Sequence, residues 1–288
     1  MRTFDLDDLH IFSTVARAGG ILRAAEQLSR VPSNVTTRIK QLEERTKLQL
    51  LRKRGRKVAL TEAGQVFLLR AEQLLENAAA LEAEITGQVP YTRLRLGSLE
   101  SAASVKLPPI LAKLHQEYPE IKIELLTGTS RSMLEGLEDY SLDAAFVSEP
   151  FDTSRYNSLR AFHEKLVLIS STAQAEIRNP AALAACTVIA FPEGCSYRKK
   201  LEEWLLQAAV RPARILEFAS YHAIVACVAA GAGVALVPES VLDHAAAGQT
   251  VRRHAVPAAI ARNATHLVWR GDAAAGVQSL IQLVKAKV

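Results

Sequence analysis

From Val31 onward, Val31, Val35, Ile39 and Leu42 recur at spacings of 4, 4 and 3, with Pro32 at the head of the run. That rhythm predicts a helix with one buried face, and proline suits its first turn, where a backbone N–H has no partner to lose. The other positions hold Ser33, Asn34, Thr36, Thr37, Arg38, Lys40 and Gln41. Short hydroxyl and amide groups thus lie near the helix start and cations further along, the arrangement that suits reading base edges in a major groove. A polar helix face is commonly only solvated, so the flanking segments decide what this one is for.

Upstream, Leu6, Leu9, Phe12 and Val15 sit three apart and predict a core-facing helix over residues 6–17. Ala18-Gly19-Gly20 ends it, and a short second helix follows, with Leu22, Ala25 and Leu28 expected to face inward and Ala24 allowing a close helix crossing. Arg23 lies on that helix, and Ser29-Arg30-Val31 is the turn into the next. Downstream, Arg52, Lys53, Arg54, Arg56 and Lys57 surround Gly55 between two apolar runs, Leu48 to Leu51 and Val58 to Leu60. This predicts a β-hairpin with a cationic tip, which would add salt-dependent, sequence-blind affinity for phosphates. The expected unit is a winged helix-turn-helix with Arg23, Pro32, Ser33, Asn34, Thr36, Thr37, Arg38, Lys40 and the five wing cations facing double-stranded DNA.

Charge is divided the same way. Residues 1–66 hold 13 Lys and Arg against 7 Asp and Glu, a net of +6, while all 288 residues together carry +5. Basic charge confined to one small part argues against a packaging protein that coats DNA without sequence preference. No apolar run reaches the length of a membrane span, and the start of the chain lacks a secretory apolar region, so a cytoplasmic protein is expected with no membrane partner. Cys186, Cys195 and Cys227 form no metal pattern, and neither a phosphate loop nor a nucleotide fingerprint is present, so no metal and no cofactor are expected.

From Thr61, a natural N-cap, a long uninterrupted helix runs to about Gly87. Phe67, Ala71, Leu74, Ala78, Leu81 and Ile85 form a heptad stripe along it, which predicts pairing with a second copy; packing against its own domain is the alternative. After Gln88-Val89-Pro90 the pattern changes to strands alternating with helical stretches. The strands are expected at residues 94–97, 121–127, 144–147, 166–170, 187–191, 215–218, 234–237 and 267–269. Such alternation predicts an α/β fold with parallel sheets, in which small ligands bind beyond the strand ends at helix N-termini.

Four segments meet that condition and supply the candidate ligand residues: Glu100 and Ser101, Thr129 and Ser130, Cys195 with Ser196 and Tyr197, and Tyr221 with His222. Glu149, after another strand, adds a second acid. Two acids in one cleft would favour an amine, with Tyr197, Tyr221 and Phe191 offering aromatic faces, whereas hydroxyls at helix starts would suit a carboxylate. An enzyme built on Cys195, with its thiol activated at a helix start and His222 as base, is the weaker alternative, because no acid is placed to orient the histidine.

The chain resembles the LysR-type transcriptional regulators through RAAEQL (Arg23 to Leu28), VTTRIKQLEE (Val35 to Glu44) and VALTEAG (Val58 to Gly64). The likeness continues in YPEIKIELLTG (Tyr118 to Gly128), LDAAF (Leu142 to Phe146) and VAAGAGVALVP (Val228 to Pro238). It implies a homodimeric or homotetrameric regulator that binds promoter DNA and senses a small-molecule effector. It also implies a DNA-binding domain over 1–61, a linker helix over 62–90 and a periplasmic-binding-protein-like, two-lobed effector domain over 91–288. Lobe I would take 91–162 and 265–288, and lobe II 163–264, with crossovers near Ala161-Phe162-His163 and Asn263-Ala264-Thr265. RVPSN (Arg30 to Asn34), LESAA (Leu99 to Ala103), GCSYR (Gly194 to Arg198) and SYH (Ser220 to His222) are similar to regulators of putrescine and related amine utilisation. Two departures stand out. Pro32 replaces a glutamine common before the recognition helix, and Lys47 replaces the glycine usual after it, at a cost of roughly 1 kcal/mol if it takes the left-handed cap.

Overall fold

A computed structural model gives the fold of residues 3–54, 57–86, 92–244 and 250–287, which fall into two compact units divided after Tyr91. In the first, α1 (Leu6–Ala18) starts at a reciprocal cap, in which the Asp8 N–H donates to Asp5 and the Asp5 N–H to Asp8. It packs on α2 (Ile21–Gln27), α3 (Pro32–Thr46) and α4 (Glu62–Thr86). Ile11, Phe12, Val15, Ala24, Val35, Ile39, Leu42 and Leu50 form the core. Lys47 takes the left-handed conformation at φ 56°, so the strained cap is the one used. β1 (Leu51–Arg54) and β2 (Lys57–Leu60) pair antiparallel as the wing, whose tip residues Gly55 and Arg56 lie outside the described residues.

Three apolar residues expected in this core are exposed instead. Val31 precedes α3 in extended conformation and so leaves the helical face; Leu22 is 68% exposed, because Ile21, Ala24, Ala25 and Leu28 take the inner side of α2. Leu6, at the first position of α1, is exposed as well. The seat of α4 explains Gly64. A Cβ there would lie 2.0 Å from the Leu50 carbonyl oxygen, against which the first turn of the helix rests. Thr61 caps that turn by accepting the Gly64 N–H at 2.9 Å.

The heptad stripe of α4 divides in two. Phe67 stacks edge-on against Phe12 at 5.2 Å and Phe4 at 5.7 Å, and Ala71 is buried, while the Glu72 carboxylate accepts from Arg17 at 2.8 Å. These belong to the unit's own core, as the alternative reading of the stripe required. Further along, Leu74, Leu81 and Ile85 are exposed and Ala78 is half-buried.

The second unit orders β3 (Thr92–Leu99), α5 (Pro108–Glu117), β4 (Ile121–Gly128), α6 (Ser130–Glu138), β5 (Ala144–Ser148) and β6 (Asn157–Ser171). Then come β7 (Thr187–Ala190), α7 (Ser196–Gln207), β8 (Arg214–Glu217), α8 (Tyr221–Ala229), β9 (Ala235–Pro238) and α9 (Glu239–His244). It closes with β10 (Val251–His254), α10 (Ala258–Ala261), β11 (Arg262–Trp269) and α11 (Ala275–Lys287). Among the described residues, the expectation of parallel sheets holds where β3 pairs with β4 and β5 and β7 with β8, with one further parallel bridge between Val188 and Val234. The rest is antiparallel: β11 runs against both β5 and β6, and β6 against β9 and β10. β5 and β6 themselves run the same way; the reversal comes from β11, which is inserted between them and runs against both.

β6 serves two cores. Its first half and β11 complete the sheet covered by α5 and α11 on one face and α6 on the other. Its second half, Leu166 to Ile169, is buried in a separate core with α7, α8 and β9. Where β6 passes between the cores, Phe162 to Lys165 pair in register with Arg262 to Thr265 of β11, so the two connections between lobes are neighbouring, hydrogen-bonded strands.

Candidate nucleic-acid interface and inter-lobe cleft

Ser33, Asn34, Thr37 and Lys40 are exposed along α3, opposite the buried Val35, Ile39 and Leu42. Thr37 Oγ1 donates to the Ser33 carbonyl at 2.9 Å and Thr36 Oγ1 to Pro32 at 2.9 Å. Pro32 and Thr36 are half-buried on the flanks, and Arg23 on α2 and Arg52 on β1 are exposed. The backbones of Lys53, Arg54 and Lys57 lie on the wing strands, and Arg56 lies outside the described residues.

Arg38 departs from the expectation that it faces DNA. Its guanidinium donates to Asp7 at 2.7 Å and lies 3.4 Å from Asp8 and 3.5 Å from Asp5, all on or beside α1. Those acids are 30 or more residues upstream, a pairing that helical periodicity cannot reveal. Burial works to raise the Asp7 carboxyl, but hydrogen bonds and charge from Arg30 and Arg38 prevail and hold it below its usual range. Sequence reasoning also gave no role to Glu43. Its carboxylate accepts the N–H groups of Leu50 and Leu51 at 2.7 and 3.0 Å and so ties α3 to the wing.

In the second unit, α6 and α7 bring their first turns together from opposite lobes. Ser130 Oγ and Ser196 Oγ lie 2.9 Å apart, and both donate to the Ser148 carbonyl, at 3.4 and 3.1 Å. The Arg131 N–H reaches the Gly194 carbonyl at 3.4 Å, and Ser101 faces the Tyr197 hydroxyl at 3.4 Å. Gly194 makes this approach possible. It has φ +90°, and a Cβ there would lie 2.8 Å from the Arg131 Cβ and 3.0 Å from Thr129 Oγ1. Thr129 itself caps α6 through reciprocal bonds with Ser132.

The cleft is closed. Between Leu99, Glu100, Thr129, Phe191, Tyr197 and Tyr221 a cavity of about 10 Å³ remains, room for about one water. Outside the serine contact, a depression of about 490 Å³ opens between α6 and α7, lined by charged residues including Arg131, Glu135, Glu193 and Lys199.

Several expected ligand residues are placed otherwise than the sequence suggested. Tyr197 and Tyr221 do line the cavity with Phe191, but they are buried in the closed cleft, and burial pushes both hydroxyls up. Glu149 is half-exposed, away from the cavity lining, with its carboxylate 2.7 Å from His266 Nε2. His222 is exposed, outside that lining. Burial pushes the Cys195 thiol up, against the backbone N–H groups of Arg198 and Tyr197 that lower it, which is the wrong direction for an activated nucleophile. Glu100 does line the cavity. Burial raises its carboxyl despite a hydrogen bond from the Tyr221 N–H and the nearby His222, and its Oε2 is buried with no hydrogen-bond partner among the described residues.

Two family models match the chain. The bacterial regulatory helix-turn-helix protein, lysR family, covers residues 6–65, and the LysR substrate binding domain covers residues 87–288. The regulator CzcR of Bacillus thuringiensis subsp. konkukian is 33% identical over 269 residues, 93% of this chain and 92% of its own length. Among solved structures, CbnR complexed with its target DNA aligns with a TM-score of 0.68 at 21% identity, covering 99% of this chain and 100% of that one. LysG of Corynebacterium glutamicum, full-length with bound effector Arg, aligns at a TM-score of 0.67 and 17% identity, over 98% of this chain and 96% of that one.

Proposed function

The chain belongs to the LysR family of DNA-binding transcriptional regulators, and on that premise we propose that α3 reads promoter half-sites, α4 pairs two copies, and the cleft takes the effector. The observation that carries the first part is the exposed face of Ser33, Asn34, Thr37 and Lys40 on a helix whose opposite face is buried. The cations of the wing lie against phosphates beside it and supply affinity blind to sequence. Selection from a random-sequence duplex pool tests this. The native chain enriches a two-fold symmetric site, and Asn34→Ala relaxes one base position in each half, by about 1–3 kcal/mol of discrimination if its contact is bidentate. Enrichment of no site, or a preference indifferent to Asn34, would overturn the assignment.

Leu74, Leu81 and Ile85, exposed at heptad spacing, support pairing through the outer part of α4 in a homodimer or homotetramer. Among the described residues, no helix is long and apolar enough to cross a membrane.

For the effector we favour an amino-acid-derived metabolite over a bare diamine. Glu100 offers one acid at the cavity, for an ammonium or guanidinium group; Glu149, engaged with His266, does not supply the second that a diamine would need. The first turns of α6 and α7 suit a carboxylate. The narrower likeness to amine-utilisation regulators finds no support in the relatives reported above, whereas LysG holds arginine. A thermal-shift screen against amino acids, diamines and dicarboxylates separates these. Stabilisation by an amino acid, weakened in Glu100→Gln, supports the reading, and stabilisation by dicarboxylates alone replaces it with a carboxylate sensor.

A further inference from the structure

The flank of α3 that faces the start of α1, with the turn before α3, brings three arginines to three aspartates. Two of the aspartates serve the fold: Asp5 and Asp8 cap α1, and the fully buried Asp8 carboxylate also takes Arg45 at 2.7 Å. Asp7 does neither. One of its oxygens accepts from Arg30 at 2.7 Å, and the other accepts from Arg30 at 3.0 Å and from Arg38 at 2.7 Å. The Asp7 side chain is 39% exposed, and the two arginines 36% and 28%, so solvent or a polyanion can reach all three.

Their position gives this cluster a consequence. Arg30 lies in the turn before α3, and Arg38 follows Thr37 and sits one helical turn after Asn34, at the border of the exposed face. With that face in a major groove, as proposed above, the border lies where a phosphate strand passes. We infer that Asp7 withholds Arg30 and Arg38 from DNA phosphates and so sets the specificity of the domain by lowering its sequence-blind affinity. A carboxylate there repels phosphate while it holds two guanidiniums in a bidentate and a single contact. Because competing non-specific sites vastly outnumber the right one, removing affinity common to all sequences raises the ratio that matters.

The test uses the full-length chain and a labelled random-sequence duplex, with anisotropy followed across potassium chloride concentration. Asp7→Asn should bind more tightly at low salt, with the slope of log K against log salt steeper by about 0.9 for each phosphate newly met, up to two. Arg30→Ala with Arg38→Ala should leave the native slope unchanged, and the same pair added to Asp7→Asn should bring its slope back to native. Asp7→Glu should behave as native, and melting curves report whether each variant is folded. If the double arginine change flattens the native slope, both side chains already hold phosphates and the inference falls; an unchanged slope in Asp7→Asn overturns it equally. Lys40→Ala separates the two levels. A slope flattened by Lys40→Ala but indifferent to Asp7→Asn refutes the restraint alone, whereas indifference to every one of these changes refutes the orientation of α3 as well.

Discussion

On α3 the polar residues singled out by the sequence pattern remain at the surface, whereas in the cleft the serines and tyrosines singled out on the same grounds are buried against one another. The difference follows from what each region meets. A face for a rigid polymer can be finished before the polymer arrives, because water satisfies its groups meanwhile. A cleft between two lobes can close on itself, and Ser130, Ser196 and the Ser148 carbonyl do so, leaving room for about one water. An effector entering here, as proposed, would replace bonds the protein already makes, and its affinity would be a difference between the two sets.

The largest expected effect probes where the first region keeps its core. Phe67→Ala should cost about 3 kcal/mol of stability in the N-terminal unit, the lower end for a truncated phenylalanine, read as loss of the DNA-binding unit's melting transition at its native position. Leu81→Asp, on the exposed part of the same stripe, should leave that transition in place and dissociate the oligomer in sedimentation. Equal effects from the two would erase the division of α4 described above.

Next in size is Gly194→Ala. With φ +90° and two close neighbours across the cleft, the added methyl should disfavour closure by about 1–3 kcal/mol. Small-angle scattering of the ligand-free protein should then show a more open effector domain; an unchanged profile would mean closure does not depend on that approach. Smaller still, Ser196→Ala should lower stability by about 1 kcal/mol and at the same time tighten effector binding, because one competing bond has gone. Isothermal titration checks the second half, and weaker binding would make Ser196 a direct ligand contact.

The smallest effect concerns pH. His254 is buried and accepts the Ile177 N–H at Nδ1, 3.0 Å away, which puts its proton on Nε2 toward Ser170 at 2.8 Å. Burial, with the charge of Arg252, holds its pKa below the ordinary 6.5. The unfolded chain therefore takes up a proton first as pH falls. Stability is full above 6.5 and declines below it, and His254→Gln should flatten that part of the melting-temperature profile.

The helices of the first unit could be read from the chain because their apolar residues recur locally, as Val35, Ile39 and Leu42 do. The first half of β6 could not. Its segment Asn157 to Lys165 mixes charge and apolar residues, because one side of it is solvated, and it gains its place only by pairing with β11, about a hundred residues later. Long-range partners explain the other surprises too. Glu149 is engaged by His266 and Arg38 by Asp7, and neither partner lies within one helix or strand of the residue it binds. For Tyr197 and Tyr221, a place at a helix start says nothing about how deeply the ring is buried, and both line the cavity from within the core.

The paired connections formed by β6 and β11 also limit how the lobes can move. Two strands bonded edge to edge behave as a leaf spring: they flex out of their common plane, but sliding or twisting them past each other would break the register from Phe162 to Lys165. Such a pair of connections would favour rocking of the lobes over sliding. An effector bound in the cleft, as proposed, would act as a displacement along that rocking coordinate, so ligands of different shape could deliver the same signal by stopping the rock at the same angle.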